Sequence, residues 1–191
     1  MADGITPSQT VGPFFAYCLT PAGYPLEELA TGVIATPDAA GTRIRIEGRV
    51  LDGAGAPVPD AFLEVWQADG EGRYPAAAPG PAANARFTGF GRAACDGEGR
   101  YAFDTVKPGP VPGPGGTMQA PHLNVGLFAR GVLRRLATRF YFADEPANAA
   151  DPILALVPAE RRATLIARPE GGVYRIDIHL QGDNETVFLE A

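Results

Sequence analysis

The sequence predicts an all-β protein: an antiparallel β-sandwich with an extended N-terminal arm and short helical turns. Three observations carry that expectation. Short runs of alternating apolar and polar residues, rich in β-branched and aromatic side chains, recur along the chain. Asp-Gly and Gly-Pro pairs punctuate them. No strand–helix–strand rhythm is visible, since no G-x-G-x-x-G follows a strand and there is no P-loop lysine.

The first convincing strand is R-I-R-I-E-G-R-V-L, 43–51, with Ile44, Ile46, Gly48 and Val50 on one side and Arg43, Arg45, Glu47 and Arg49 on the other. D-G-A-G-A-P turns the chain into F-L-E-V-W-Q, 62–67, and a Pro/Ala/Gly loop spans 75–85. R-F-T-G-F-G-R-A, 86–93, reads as a strand with glycine breaks, and Y-A-F-D-T-V follows at 101–106. The prolines of K-P-G-P-V-P-G-P-G-G, 107–116, lack ladder donors and rule out a central strand there. Further strands are expected at 122–129, 136–142, 173–180 and 186–189, with helical turns at 144–151 and 158–165. Residues 1–42 hold little strand pattern. They read as an arm with one short helix near P-L-E-E-L-A, packing on the core or on a partner, while 43–191 form the sandwich.

Composition narrows the function classes. The 191 residues are 46% hydrophobic and 20% charged, as in a globular domain with a sizeable core. The 24 glycines and 19 prolines fit many turns and long loops. A net charge of −6 argues against nucleic-acid binding and against an anionic membrane surface. Cys18 and Cys95 stand in unrelated contexts and form no C-x-x-C, so two free thiols in a reducing cytoplasm are expected. No signal peptide is read at the N-terminus, and no apolar run reaches the ~18 residues of a membrane span.

Few residues carry recognisable chemistry. Ser8 is the only serine and no G-x-S-x-G is present, which leaves little basis for a serine nucleophile. His122, in A-P-H-L-N-V-G, is one of two histidines; Asn124, two residues on, shares its face of a strand. An H-x-H would present two imidazoles to one metal ion, whereas H-x-N presents one imidazole and an amide, a poor transition-metal ligand. His179 has Asp177 two residues before it and reads as a solvated strand residue.

Five segments together are more specific. T-P-S-Q-T-V-G-P-F-F at 6–15, F-L-E-V-W-Q-A-D-G-E-G-R-Y at 62–74, T-V-K-P-G-P at 105–110, A-P-H-L-N-V-G-L-F-A-R-G at 120–131 and R-F-Y-F at 139–142 occur in the order and spacing of the intradiol ring-cleavage dioxygenases. The chain resembles that family along nearly its whole length, most closely the α chains of its protocatechuate-cleaving αβ members. The resemblance implies a β-sandwich subunit whose partner β chain holds Fe(III) through two tyrosines and two histidines. It also implies protocatechuate and O2 as substrates.

The family's ligand positions map here onto Tyr74, in G-R-Y; Val111, in K-P-G-P-V-P, where the family has K-P-G-P-Y-P; and His122 and Asn124, where the family has R-P-A-H-I-H. Val111 can coordinate nothing. One phenol and one imidazole do not supply the chelation a ferric site requires, so no metal is expected in this chain. Tyr74 and His122 then fill a former pocket, and the Asn124 amide satisfies its neighbours.

The resemblance places the catalytic cleft near the α–β boundary. There Thr10, Gly12, Pro13 and Phe14 of the arm, and Arg130 of F-A-R-G, are the expected substrate-pocket residues. A guanidinium suits a carboxylate substrate, although Arg130 reads equally well as a surface or interface residue in an ion pair. Trp66 reads as a core or interface anchor, and Arg134, Arg135, Arg139, Arg161 and Arg162 as structural or interface charges. Two rival readings remain: a non-enzymatic β-sandwich binding or scaffold module, and a self-sufficient dioxygenase with rebuilt ligands.

Overall fold

Alternation drives the first strand. β1 (Arg43–Leu51) buries Ile44, Ile46 and Val50 and turns its charged residues outward. The structure is a computed structural model and describes residues 10, 12, 15, 18–21, 24–75 and 86–190. Further strands are β2 (Phe62–Gln67), β3 (Phe90–Ala94), β4 (Arg100–Val106), β5 (Val111–Pro112), β6 (Met118–Gln119), β7 (His122–Phe128), β8 (Leu136–Phe142), β9 (Ile166–Glu170), β10 (Val173–Arg175) and β11 (Ile178–His179). Helical structure is confined largely to 3-10 turns, among them Pro146–Ala150 and Arg162–Leu165, where helical turns are expected.

Nine strands join one sheet in the order β11-β1-β10-β9-β8-β7-β2-β3, with β4 on the other side of β1. The path curls until β3 and β4 approach, giving a nearly closed, barrel-like sheet. One core fills it: Ile46 and Phe103 from one flank meet Leu63, Leu123, Leu127 and Phe140 from the other. Each of those side chains is fully buried, worth about 1.5–3 kcal/mol apiece relative to exposure.

The sheet is not purely antiparallel as expected. β1 runs parallel to β10 and β11, and β8 parallel to β9. The connection explains the β8–β9 pairing. Residues 143–165 pass through three 3-10 turns, long enough to bring the chain back in the same direction. β9 itself, carrying Pro169, was not expected from the sequence.

The expected strand 173–180 is interrupted at Ile176 and Asp177. Here the Arg49 amide donates to the Asp177 Oδ1 (2.8 Å), so a side chain replaces a ladder carbonyl. The expected strand 186–189 is reduced to a single bridge, Ala137 to Leu189. The helix expected near P-L-E-E-L-A is absent: residues 25–29 are turn and bend with Leu26 and Leu29 exposed, and a six-residue helix is not stable without a packed apolar face. Further on, Ile34 joins the core, and its amide donates to the Asp104 carbonyl (2.8 Å). Among the described residues no helix is long and apolar enough to cross a membrane.

Candidate functional site

β7 is flanked by β2 and β8, and register sets the neighbours of His122 and Asn124. Leu123, Val125 and Leu127 enter the core, while His122 and Asn124 point to the other side of the sheet. Asn124 lies opposite Trp66 on β2 and opposite Arg139 on β8; His122 lies opposite Tyr141. Directly opposed residues share a face, so Trp66, Asn124 and Arg139 form one row across three strands.

Tyr74 reaches that row through a tight loop. Asp69 Oδ1 accepts the amides of Glu71 and Arg73 (2.9 and 3.0 Å), which folds D-G-E-G-R back on itself. Gly72 is required there: its φ is +78°, and a β-carbon would fall 2.0 Å from the Pro110 carbonyl oxygen. The Tyr74 ring consequently stacks on Trp66, with centroids 5.9 Å apart and planes at 7°. Asn124 Nδ2 donates to the Tyr74 hydroxyl (3.3 Å) and toward the Trp66 carbonyl (3.4 Å).

His122 is buried, and its Nδ1 lies 2.7 Å from the Ala120 carbonyl. A carbonyl can only accept, so this contact assigns the proton to Nδ1 and leaves Nε2 with a lone pair. Nε2 has no hydrogen-bond partner among the described residues. Burial, reinforced by the nearby Arg139 guanidinium, pushes the His122 pKa down to about 4, so the ring is neutral near pH 7.

A second chain of contacts closes the region from β8. Arg139 Nη1 donates to Gln119 Oε1 (2.7 Å) and toward the Tyr141 hydroxyl (3.4 Å), which donates to Asp151 Oδ1 (3.1 Å). Buried Asp151 also accepts the amides of Ala120, Ile153 and Leu154. Burial pushes the Tyr141 hydroxyl up to about 12. Val111 is buried on β5, paired with Gln119 on β6.

These positions do not fit a ferric ion. Fe(III) favours anionic oxygen donors. Tyr74 is engaged by Asn124, Val111 has no donor, and the cation Arg139 lies across from the position where the second histidine would stand. Among the described residues no cluster of three or more His, Cys, Asp or Glu side chains could hold a metal.

The expected substrate-pocket residues meet elsewhere, at the end of β7. The Gly131 amide donates to Thr10 Oγ1 (2.7 Å), tying the arm to the turn after Arg130. Arg130 Nε pairs with Asp60 Oδ2 (3.1 Å), yet its side chain is 78% exposed. Gly12, Phe15, Asp60, Phe62, Cys95 and Arg130 line a cavity of about 360 Å³. Phe62 stacks on Phe128 at 4.7 Å and 9°, and Phe15 packs against it at 6.2 Å, so the aromatic floor is fixed. Cys95 is no nucleophile: burial, with Asp96 and Asp60 nearby, raises its pKa to about 12. Pro13 and Phe14 lie outside the described residues.

Two side chains are placed more sharply than their expected roles. Of the core or interface anchor expected of Trp66, the core half is set aside: it is 40% exposed and forms a groove wall. Arg139, expected as a structural or interface charge, is structural, bridging Gln119 and Tyr141 beside His122. The available signal was Gln119 itself, which stands three residues before His122 where the family motif R-P-A-H-I-H has its arginine.

A sheet-built core carrying Tyr74, Val111, His122 and Asn124 on one side has counterparts among known proteins. The family model described as Dioxygenase matches residues 28–182, and the chain belongs to the intradiol ring-cleavage dioxygenases. That family is iron-dependent. Within it, the chain is 49% identical to the protocatechuate 3,4-dioxygenase alpha chain of Burkholderia cepacia, over 97% of this chain and 96% of that one. It is 37% identical to the beta chain from the same organism, over 83% of this chain and 73% of that one. The dioxygenase domain of a dioxygenase–carbohydrate-binding fusion from Streptomyces sp. SirexAA-E superposes with a TM-score of 0.62 at 24% identity. It covers 94% of this chain and 99% of that one, a likeness of fold alone.

Proposed function

We propose that this chain is the iron-free α subunit of an αβ intradiol dioxygenase. The complex would cleave protocatechuate (3,4-dihydroxybenzoate) with O2 to 3-carboxy-cis,cis-muconate. The observation that carries this is the donor set. A chain similar over nearly its whole length to a protocatechuate 3,4-dioxygenase α chain has Val111 and Asn124 at two of four ligand positions. The remaining two are held by contacts within the chain. Fe(III) is then the β partner's, and this chain's work is to shape the cleft and support the assembly.

Support for the recognition role comes from the corner at Arg130. An exposed guanidinium above an aromatic floor suits an anionic ring, attracting it from solution and pairing with its carboxylate. Gly12 lines the same cavity, and Thr10 holds the Gly131 amide beside Arg130. A reducing cytoplasm is the proposed compartment, in keeping with the free thiols of Cys18 and Cys95.

The test is to express the chain with and without a β partner that retains both tyrosines and H-x-H. Iron content and protocatechuate-dependent O2 uptake are then measured. Iron and activity are expected only in the complex. Ring cleavage by the single chain would overturn the assignment in favour of a self-sufficient enzyme. A complex that is inactive with every catechol would leave a scaffold module.

A further inference from the structure

The outer face of β1, β4 and β10 carries a groove of about 570 Å³ that shares no residue with the one beside Trp66. Small residues, Gly48, Ala93, Ala94 and Ala102, leave its floor open. Four guanidiniums border it, those of Arg45, Arg49, Arg100 and Arg175, with the carboxylates of Glu47, Asp96 and Asp177 among them. Around Glu47 the charges are matched. Glu47 meets Arg45 (2.6 Å) and Arg175 (2.9 Å), and these arginines also reach Asp104 (2.7 Å) and Glu170 (3.0 Å).

Arg49 and Arg100 are not matched in this way. They stand directly opposite each other on β1 and β4, where like charges repel. Asp177 is the carboxylate beside Arg49, but its Oδ1 accepts the Arg49 amide (2.8 Å) and its Oδ2 stays 3.5 Å from the guanidinium. Asp96 is the carboxylate beside Arg100, but its Oδ1 accepts the amides of Glu98 and Arg100 (2.8 and 2.9 Å) and its Oδ2 stays 3.9 Å away. Both acids are thus spent largely on backbone. The Arg49 and Arg100 side chains are 49% and 62% exposed, so a further anion can reach both.

The complement of this basic spot adjoins it. Gly32 lines the groove, and the segment before it is the exposed L-E-E-L of 26–29. Glu27 and Glu28 form no ion pair among the described residues. Leu26, Leu29 and Val33 beside them are 55%, 89% and 51% exposed, apolar surface that association would take out of water. Five residues of chain span at most about 18 Å, so Glu27 stays near the groove edge at Gly32. A face that holds a patch and its complement side by side suits a two-fold contact, in which each copy gives and receives the same contact. We propose that this face pairs two copies of the chain, with Glu27 and Glu28 of each copy seated on Arg49 and Arg100 of the other. Guanidinium forks match carboxylates, and the small-residue floor leaves room for the leucines that flank them.

Sedimentation velocity on the full-length chain, without iron or a β partner, should show a reversible monomer–dimer equilibrium that weakens as salt is raised. Glu27→Gln with Glu28→Gln alters exposed side chains alone and should raise the dimer dissociation constant at least tenfold. Glu27→Arg with Glu28→Arg should give monomers, as should Arg49→Glu with Arg100→Glu, each with unchanged circular dichroism. Mixing the two reversed chains should restore a 1:1 dimer, since each offers what the other lacks. All four changes in one chain should restore self-association. A wild-type chain that stays monomeric, a dimer indifferent to Glu27→Gln with Glu28→Gln, or folded reversed chains that do not pair with each other would each overturn the proposal. Since the assay involves neither iron nor the β chain, its failure leaves the dioxygenase assignment standing, and failure of that assignment leaves this face.

Discussion

Around His122 the contacts run inward; around Arg130 they run outward. The Asn124 amide, the Arg139 guanidinium, the Tyr141 hydroxyl and the Asp151 carboxylate each find partners within the same chain. At Arg130 a single ion pair to Asp60 leaves a side chain 78% exposed over an aromatic floor. The first arrangement uses polar groups to hold elements together, so its loss costs stability. The second leaves a charge open to solvent, so under the proposed function its loss would cost recognition. Substitutions should therefore separate the two regions by what they damage.

The largest effect is expected at Asp151. Asp151→Ala strands the buried amides of Ala120 and Leu154 and the Tyr141 hydroxyl, and should cost about 3–4 kcal/mol in urea unfolding. Next comes pH. The His122 pKa is about 4 in the folded chain, while the unfolded chain takes up its proton near 6.5. Between those values the unfolded state binds more protons, so stability falls as pH falls. The contribution is complete above pH 6.5 and lost by about pH 4, a span of roughly 3 kcal/mol. His122→Gln should flatten that part of the stability–pH curve, measured from denaturation midpoints; an unchanged slope would mean that the imidazole is not shielded as described.

Arg130→Ala should leave stability within about 0.5 kcal/mol. In the αβ complex it should raise KM for the anionic substrate about tenfold, with kcat less affected, in steady-state O2 uptake. A loss of stability with unchanged KM would reverse the contrast between the regions. The smallest effect is expected for Thr10→Val, which removes the bond from the Gly131 amide. Less than about 1 kcal/mol of stability and a two- to threefold rise in KM are anticipated, since the group is exposed.

The strands most legible in sequence were those with a clean period of two and one core-facing side. β1, β2 and β8 match their expected limits to the residue. β9 and the break at Asp177 were not legible, because each depends on a partner distant in sequence. The direction of β9 is set by the crossover before it, and the Asp177 side chain stands in for backbone only once β1 is alongside. At the site, the departures from the family motif could be read from single letters, Val111 and Asn124. The role of Arg139 could not, because it follows from cross-strand register with Asn124 and from the position of Gln119 on the short β5–β6 ladder. The Arg130 corner was indicated by motif, but the tie between Thr10 and Gly131 spans 121 residues and is a property of the fold.

The parallel contacts of β1 have a consequence for synthesis. Its partners β10 and β11 leave the ribosome long after it; the Arg49 amide waits for Asp177, 128 residues later. At Gly48 the late segment comes so close that a β-carbon would lie 1.7 Å from the Ile176 oxygen, which also accepts the Tyr101 hydroxyl at 2.7 Å. Until that segment arrives, β1 can zip only with β4 and presents an unpaired edge rich in isoleucine and valine. Loop closure over such a distance is slow, and the nascent chain is exposed to edge-to-edge association meanwhile. The outward charges of Arg43, Arg45, Glu47 and Arg49 then serve a second purpose, keeping that waiting edge apart from its neighbours.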